Sequence, residues 1–182
     1  MKPTVIILHG IGGHAGIHWQ QWLHDELAGK GYPVIMPTLP QANHPDRSLW
    51  KKTITDLAAS LDEVIFVGHS LAVPSILDAV EDLSGKKIKL VSVSGFCSDY
   101  GAELNSYFLK ERTVDFAKAR NNIESAVVFY GDNDPYVPQD KLMELAVCMG
   151  VTPIIIPQGG HLNTGAGFTQ FPLLLEQVQA LA

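Results

Sequence analysis

Val64-Ile65-Phe66-Val67-Gly68-His69-Ser70-Leu71-Ala72 opens as an unbroken apolar run and closes in a turn of small residues. A β-branched and aromatic run bounded in this way reads as a strand buried on both faces, the kind found in parallel sheets. The residues that follow, 72–84, carry a helical pattern, so Ser70 falls at a strand–turn–helix junction. Such a junction lifts the turn residue clear of the sheet edge and packs only if the positions two before and two after are small. Here these are Gly68 and Ala72, the second one methyl group larger than the more usual glycine. Ser70 has two readings at this point. Serine is a favoured helix N-cap and needs no further role. It is equally a candidate nucleophile, set at a helix N-terminus whose free N–H groups and dipole favour negative charge. Pro74 falls near the end of the first helical turn, where a missing N–H is tolerated.

Working outward, runs of the same kind recur at Thr4–Leu8, Val34–Met36, Ile88–Val93, Ala126–Tyr130 and Thr152–Ile156. Helical stripes lie between them. Ile54, Leu57, Ala58 and Leu61 share one helix face, as do Phe171, Leu174, Leu175, Val178 and Leu181. Segments 18–30 and 138–149 also read as helices, and 102–120 as two short helices with a break. This alternation predicts an α/β protein, a three-layer α/β/α sandwich on about six parallel strands. The 182 residues suit one domain, 1–182, with no insertion long enough for a large cap. Functional side chains then belong in the loops at the carboxyl ends of the strands.

A serine hydroxyl needs a base. Seven histidines are present, and His161 alone follows the last strand in a tight turn, Pro157-Gln158-Gly159-Gly160-His161. A lone loop histidine is usually a solvated surface residue; its position in the fold makes His161 the candidate base. The acid is sought after the preceding strand, in Gly131-Asp132-Asn133-Asp134-Pro135. Asp132 and Asp134 compete there, and an ordinary Asp/Asn turn would look the same. Asp134 is preferred because Pro135 confines its backbone to extended conformations and fixes its direction. The chain order Ser70, Asp134, His161 is that of serine hydrolases on parallel sheets.

The loop after the first strand, His9-Gly10-Ile11-Gly12-Gly13-His14, is the expected source of one oxyanion-binding amide, that of Ile11. The other is Leu71, next to the nucleophile. Gly10, Gly12 and Ala15 also fit a dinucleotide-binding fingerprint. That reading requires an acidic residue some 20 positions on, and Met36-Pro37-Thr38-Leu39-Pro40 contains none. No cofactor is expected. His14, His18, His24 and His44 lack a metal-binding pattern and read as structural or rim residues, and Trp19 and Trp22 as anchors of the first helix. Phe96 and Tyr100 fit an acyl-pocket wall and the core beneath a short helix equally well. Cys97 reads as a small packed residue.

Hydrophobic residues make up 46% of the chain and charged residues 18%, with a net charge of −6, which argues against nucleic-acid binding by counterion release. Two cysteines without metal spacing, a start at Met1-Lys2-Pro3 without a leader pattern, and no apolar run of membrane-spanning length point to a reduced, cytoplasmic protein that does not bind membranes.

With these residues in place the chain resembles the family of small serine hydrolases typified by retinoblastoma-binding protein 9 and the YdeN-type proteins. The resemblance runs over essentially the whole length. It rests on Val5-Ile6-Ile7-Leu8-His9-Gly10, His18-Trp19 with Trp22, Gly68-His69-Ser70-Leu71, Asp134-Pro135-Tyr136-Val137-Pro138 and Gly160-His161. It implies a minimal α/β-hydrolase fold, a Ser70–His161–Asp134 triad and no cofactor, but names no substrate; the lack of an insertion long enough for a large lid is what leads to the expectation of a small acyl substrate. A non-catalytic module on the same fold, binding a protein partner or a second copy of itself, is the competing expectation.

Overall fold

Successive side chains of a strand project to opposite faces of a sheet, so a strand covered on both sides needs two apolar sets. The central strands have them. Ile6, Leu8, Val64, Phe66, Ile88 and Leu90 enter one core. Val5, Ile7, Ile65, Val67, Val91 and Val93 enter the other. In a computed structural model describing residues 2–182, these segments form one parallel sheet of order β2-β1-β3-β4-β5-β6. The strands are β1 (Thr4–Leu8), β2 (Val34–Ile35), β3 (Glu63–His69), β4 (Lys87–Val93), β5 (Ile123–Gly131) and β6 (Ile154–Ile156). Met1, counted above in the domain 1–182, lies outside the described residues.

Helices α1 (Gln20–Gly29) and α7 (Pro172–Leu181) cover one face. On the other lie α2 (Arg47–Ala58), α3 (Ala72–Val80), α4 (Ser106–Lys110), α5 (Phe116–Asn122) and α6 (Gln139–Met149). The expected three layers and parallel strands are therefore present. β1 pairs with β2 on one side and β3 on the other, so the chain reverses its direction of travel across the sheet at β1/β3. The loops after those two strands flank the crevice that such a reversal opens.

Element ends differ from the sequence pattern for local reasons. The first helix starts at Gln20 rather than residue 18, because His18 has φ 60°, outside the right-handed helical region. β6 loses Thr152 and Pro153, and proline has no N–H to give the ladder. β5 runs back to Ile123 through Glu124 and Ser125, polar residues that hide it from an apolar search.

The break between α4 and α5 has a cause that periodicity does not carry. Arg47, at the start of α2, is 1% exposed. Its guanidinium grips Asp78 of α3 with Nε–Oδ2 at 2.7 Å and Nη2–Oδ1 at 3.1 Å. Its Nη1 donates to the carbonyls of Phe108 and Leu109, in the last turn of α4, and to that of Arg112 just beyond it. Arg112 in turn reaches Asp78 at 3.2 Å and Glu81 at 2.6 Å. This buried cluster joins α2, α3 and the segment leading out of β4.

Removing one partner of a buried ion pair strands the other charge, at a cost of about 3–5 kcal/mol. Arg47→Ala is expected to lower the urea-unfolding free energy by about that amount, and Arg47→Met with Asp78→Leu to regain only part of it, because the three carbonyls stay without their donor. A loss below about 1 kcal/mol in the single variant, measured by urea titration, would contradict this role.

Candidate active site

The turn between β3 and α3 is as tight as the small residues around it imply. Ser70 has φ 54°, a left-handed conformation uncommon outside glycine. A Cβ on Gly68 would stand 2.5 Å from Ile76 Cδ1, and one on Gly10 would stand 3.0 Å from the Ser70 Cβ. The Ser70 amide donates to the carbonyl of Val93 at 3.0 Å. Leu71 is the N-cap of α3 and no side chain caps it, so Ser70 does not serve as a helix cap.

The loop after β5 meets the loop after β6. His161 Nδ1 lies 2.7 Å from Asp134 Oδ2, and both side chains are almost wholly buried. Asp134 Oδ1 accepts from the amides of Tyr136 at 2.9 Å and Val137 at 3.1 Å, which holds the carboxylate in place. A carboxylate paired in this way only accepts, so Nδ1 carries the proton of the neutral ring and Nε2 keeps its lone pair. Asp132, the competing acid, accepts instead from the amide of Gln158 at 2.8 Å, and Asn133 Oδ1 from the amide of Gly160 at 2.7 Å. These two residues hold the strand of loop that leads to His161.

Further histidines tie the site together. His69 Nε2 donates to the carbonyl of His161 at 3.0 Å, and its ring packs edge-on to that of His161 with centroids 4.9 Å apart. Burial first, and the neighbouring His161 second, hold the His69 imidazole well below its ordinary value. His9 Nε2 accepts from the amide of Leu39 at 2.8 Å, so its Nδ1 is the donor to the Gly10 carbonyl at 2.8 Å. Burial lowers its pKa too. Trp19, packed in the core as expected, donates Nε1–H to the carbonyl of Leu162 at 2.9 Å. His18 stands on the site wall, held to Thr164 through Nδ1.

Ser70, His69, His161, Gly10, Ile11 and His18 line one cavity of about 300 Å³. That volume is at the lower end for small-molecule pockets. Among the described residues, nothing accepts from the amides of Ile11 or Leu71, and no hydrogen bond joins Ser70 to His161 Nε2, although both side chains face the same cavity. Contacts of this sort commonly tighten in a Michaelis complex. Tyr100 lines the cavity, with its hydroxyl accepting from Asn105 Nδ2 at 2.9 Å. Of the two readings of Phe96 the core one holds and the substrate-binding one does not: it is fully buried behind Tyr100, ring centroids 5.3 Å apart, and does not line the cavity. Cys97 and Cys148 are free thiols, and burial pushes the Cys97 thiol up, away from the reactive thiolate. Among the described residues no group of three or more His, Cys, Asp or Glu side chains is arranged to hold a metal, and no helix is long and apolar enough to cross a membrane.

Comparison with known proteins places this geometry in a family context. Residues 5–180 match the family described as "Serine hydrolase". The structure is similar to that of the ydeN gene product from B. subtilis, with a TM-score of 0.89 and 25% identity over 99% of this chain and 98% of that one. It is similar also to a monoacylglycerol lipase from Paleococcus ferrophilus, with a TM-score of 0.71 and 15% identity over 100% of this chain and 96% of that one. A third is Est1E from Butyrivibrio proteoclasticus, with a TM-score of 0.70 and 16% identity over 99% and 88% of the two chains. The chain has no match among curated proteins. The fold is that of a minimal α/β hydrolase.

Three buried or half-buried histidines, His9, His18 and His69, have native pKa values lowered from 6.5. In the unfolded chain they titrate at the ordinary value, so below it the unfolded state binds more protons than the native one. Stability is therefore complete above 6.5 and falls as pH drops below it. Urea unfolding followed from about pH 8 to about pH 5 is expected to show that decline. His69→Gln, which keeps a donor for the His161 carbonyl and does not titrate, should show a shallower one. An unchanged slope in the variant contradicts the assignment.

Proposed function

From the premise that the chain belongs to the serine hydrolase family, we propose that it cleaves a small ester, thioester or amide through an acyl-serine intermediate, with Ser70 as nucleophile, His161 as base and Asp134 as its orienting acid. The observation that carries this reading is the pairing of a left-handed Ser70 with a His161 ring fixed by Asp134 on the wall of one cavity.

The chemistry follows from the proton positions. His161 Nε2 takes the hydroxyl proton as Ser70 Oγ bonds to the substrate carbonyl carbon. The carbonyl π pair moves onto oxygen, where the unpaired amides of Ile11 and Leu71 donate to it; each such donor typically contributes about 10²–10³ in rate. As the tetrahedral adduct collapses, Nε2–H passes its proton to the departing heteroatom and the bond to it breaks. Water then attacks the acyl-serine by the same route and restores Ser70. Asp134 remains ionised throughout, holding the ring and stabilising the imidazolium. His9 keeps the Ile11 loop in place by fixing the Gly10 carbonyl, and its neutral state suits that task.

The cavity volume favours short acyl groups over long lipid chains. We read the activity as ester cleavage in a cavity lined by both apolar and polar residues, and the molecule is taken to work as a cytoplasmic enzyme.

A fluorophosphonate probe is expected to label the wild type and not Ser70→Ala. On p-nitrophenyl butanoate, Asp134→Asn should lower kcat by about 10⁴-fold, as loss of an orienting acid does. Asp132→Ala, which loses only a hydrogen bond to backbone, should lower it less than about tenfold. Equal labelling of wild type and Ser70→Ala, or a larger loss at Asp132 than at Asp134, would overturn the assignment.

A further inference from the structure

His18 is the one cavity-lining histidine that the proposed reaction leaves without a task. It is held in the left-handed region at φ 60°, a strained conformation for a side chain of its size. The Thr164 amide approaches its Nδ1 at 3.2 Å and the Thr164 hydroxyl at 3.1 Å. A backbone N–H can only donate, so Nδ1 is bare and Nε2 carries the proton. Among the described residues nothing accepts from that Nε2–H. The ring packs edge-on to His69, centroids 5.3 Å apart, and so stands on the wall that also carries His161. Burial first, and the nearby His161 second, lower the His18 pKa, and the neutral ring still donates through Nε2.

Asn163, on the same wall, repeats the pattern. Its Oδ1 accepts from the amide of Ala166 at 3.1 Å, and its NH₂ group has no acceptor among the described residues. The lining from the loops after β4 and β5 is mixed, with Ala102, Leu104 and Val137 apolar and Tyr100, Asn105 and Tyr136 bearing polar groups, and the Tyr100 hydroxyl is already paired with Asn105. In collapse of the tetrahedral adduct the departing heteroatom must lie against the His161 ring to receive its proton. The substituent beyond that atom can follow the side of the lining that holds Tyr136, whose ring lies 5.1 Å from that of His161, or the side that holds His18 and Asn163, and the unpaired donors lie on the second.

We propose that His18 binds the leaving group, donating its Nε2–H to an acceptor oxygen carried a short way along it, so that the preferred substrates are esters or thioesters of oxygen-bearing alcohols or thiols rather than of plain alkyl ones. This rests on the hydrolase reading above and adds the chemistry of the leaving group.

The test compares 2-methoxyethyl butanoate with n-butyl butanoate, which differ by an oxygen in place of one methylene. Each kcat/KM is divided by the rate of hydroxide-catalysed hydrolysis, to remove intrinsic reactivity. One neutral hydrogen bond predicts a wild-type preference of roughly fivefold for the methoxyethyl ester. His18→Asn tolerates the left-handed backbone but lacks the reach, and should bring the ratio to about one; His18→Phe, which keeps the ring packing, should do the same. A wild-type ratio of one, or variants that slow both esters and keep the wild-type ratio, would sink the proposal and show His18 to be structural. A preference that appears instead when the oxygen is moved into the acyl chain would also sink it. If the wild type neither reacts with a fluorophosphonate nor hydrolyses either ester, the hydrolase reading itself falls. A labelled, active enzyme without the preference removes only the role of His18.

Discussion

The loop after β5 holds the loop after β6, and the site depends on that grip. A Cβ on Gly131 would overlap the carbonyl oxygen of Gly160, so the two chains touch at backbone distance. Asp132, Asn133 and Asp134 then act in succession on Gln158, Gly160 and His161. Three neighbouring polar side chains fix the approach, the bend and the ring. Neither loop has this shape alone, because each supplies the hydrogen-bond partners the other lacks. The cost of ordering a glycine-rich turn is offset where its amides find fixed acceptors.

A second set of contacts holds the same region from the opposite side. His69 and Trp19 donate to the consecutive carbonyls of His161 and Leu162. The ring of His161 is thereby positioned through its carboxylate partner and its backbone through β3 and the loop before α1. Ser70 adjoins His69 directly, so the turn that sets the serine also sets the histidine. This explains why a strained residue at position 70 persists: the hydrogen bond from its N–H to the Val93 carbonyl and the close approach of Gly10 determine its conformation from both sides.

The central strands, the helix order and the members of the proposed triad were legible in the sequence because each rests on local pattern. Double-sided apolar runs identify buried parallel strands, and Gly68 and Ala72 announce a tight turn. Asp134 stood out from Asp132 through the proline that follows it. What stayed hidden depends on partners distant in sequence. No spacing indicates that Arg47 marks the end of α4 by donating to three carbonyls sixty-odd residues away. His18 and His69 gave a weak signal, sitting beside Trp19 and Ser70 in the stretches that carry the family resemblance, but their roles lie in tautomers set by Thr164 and His161. Phe96 stayed open between two readings because an aromatic residue beyond a strand end looks the same whether it faces a cavity or supports the residue that does.

The central claim is that Asp134 fixes the neutral His161 ring with its proton on Nδ1, leaving Nε2 free to take one from Ser70. Nitrogen-15 NMR of protein labelled at histidine reads this directly. The account predicts that the His161 signals report a protonated Nδ1 and a bare Nε2, while His69 and His18 report the opposite tautomer. A His161 ring carrying its proton on Nε2, or sampling both tautomers equally, would contradict it.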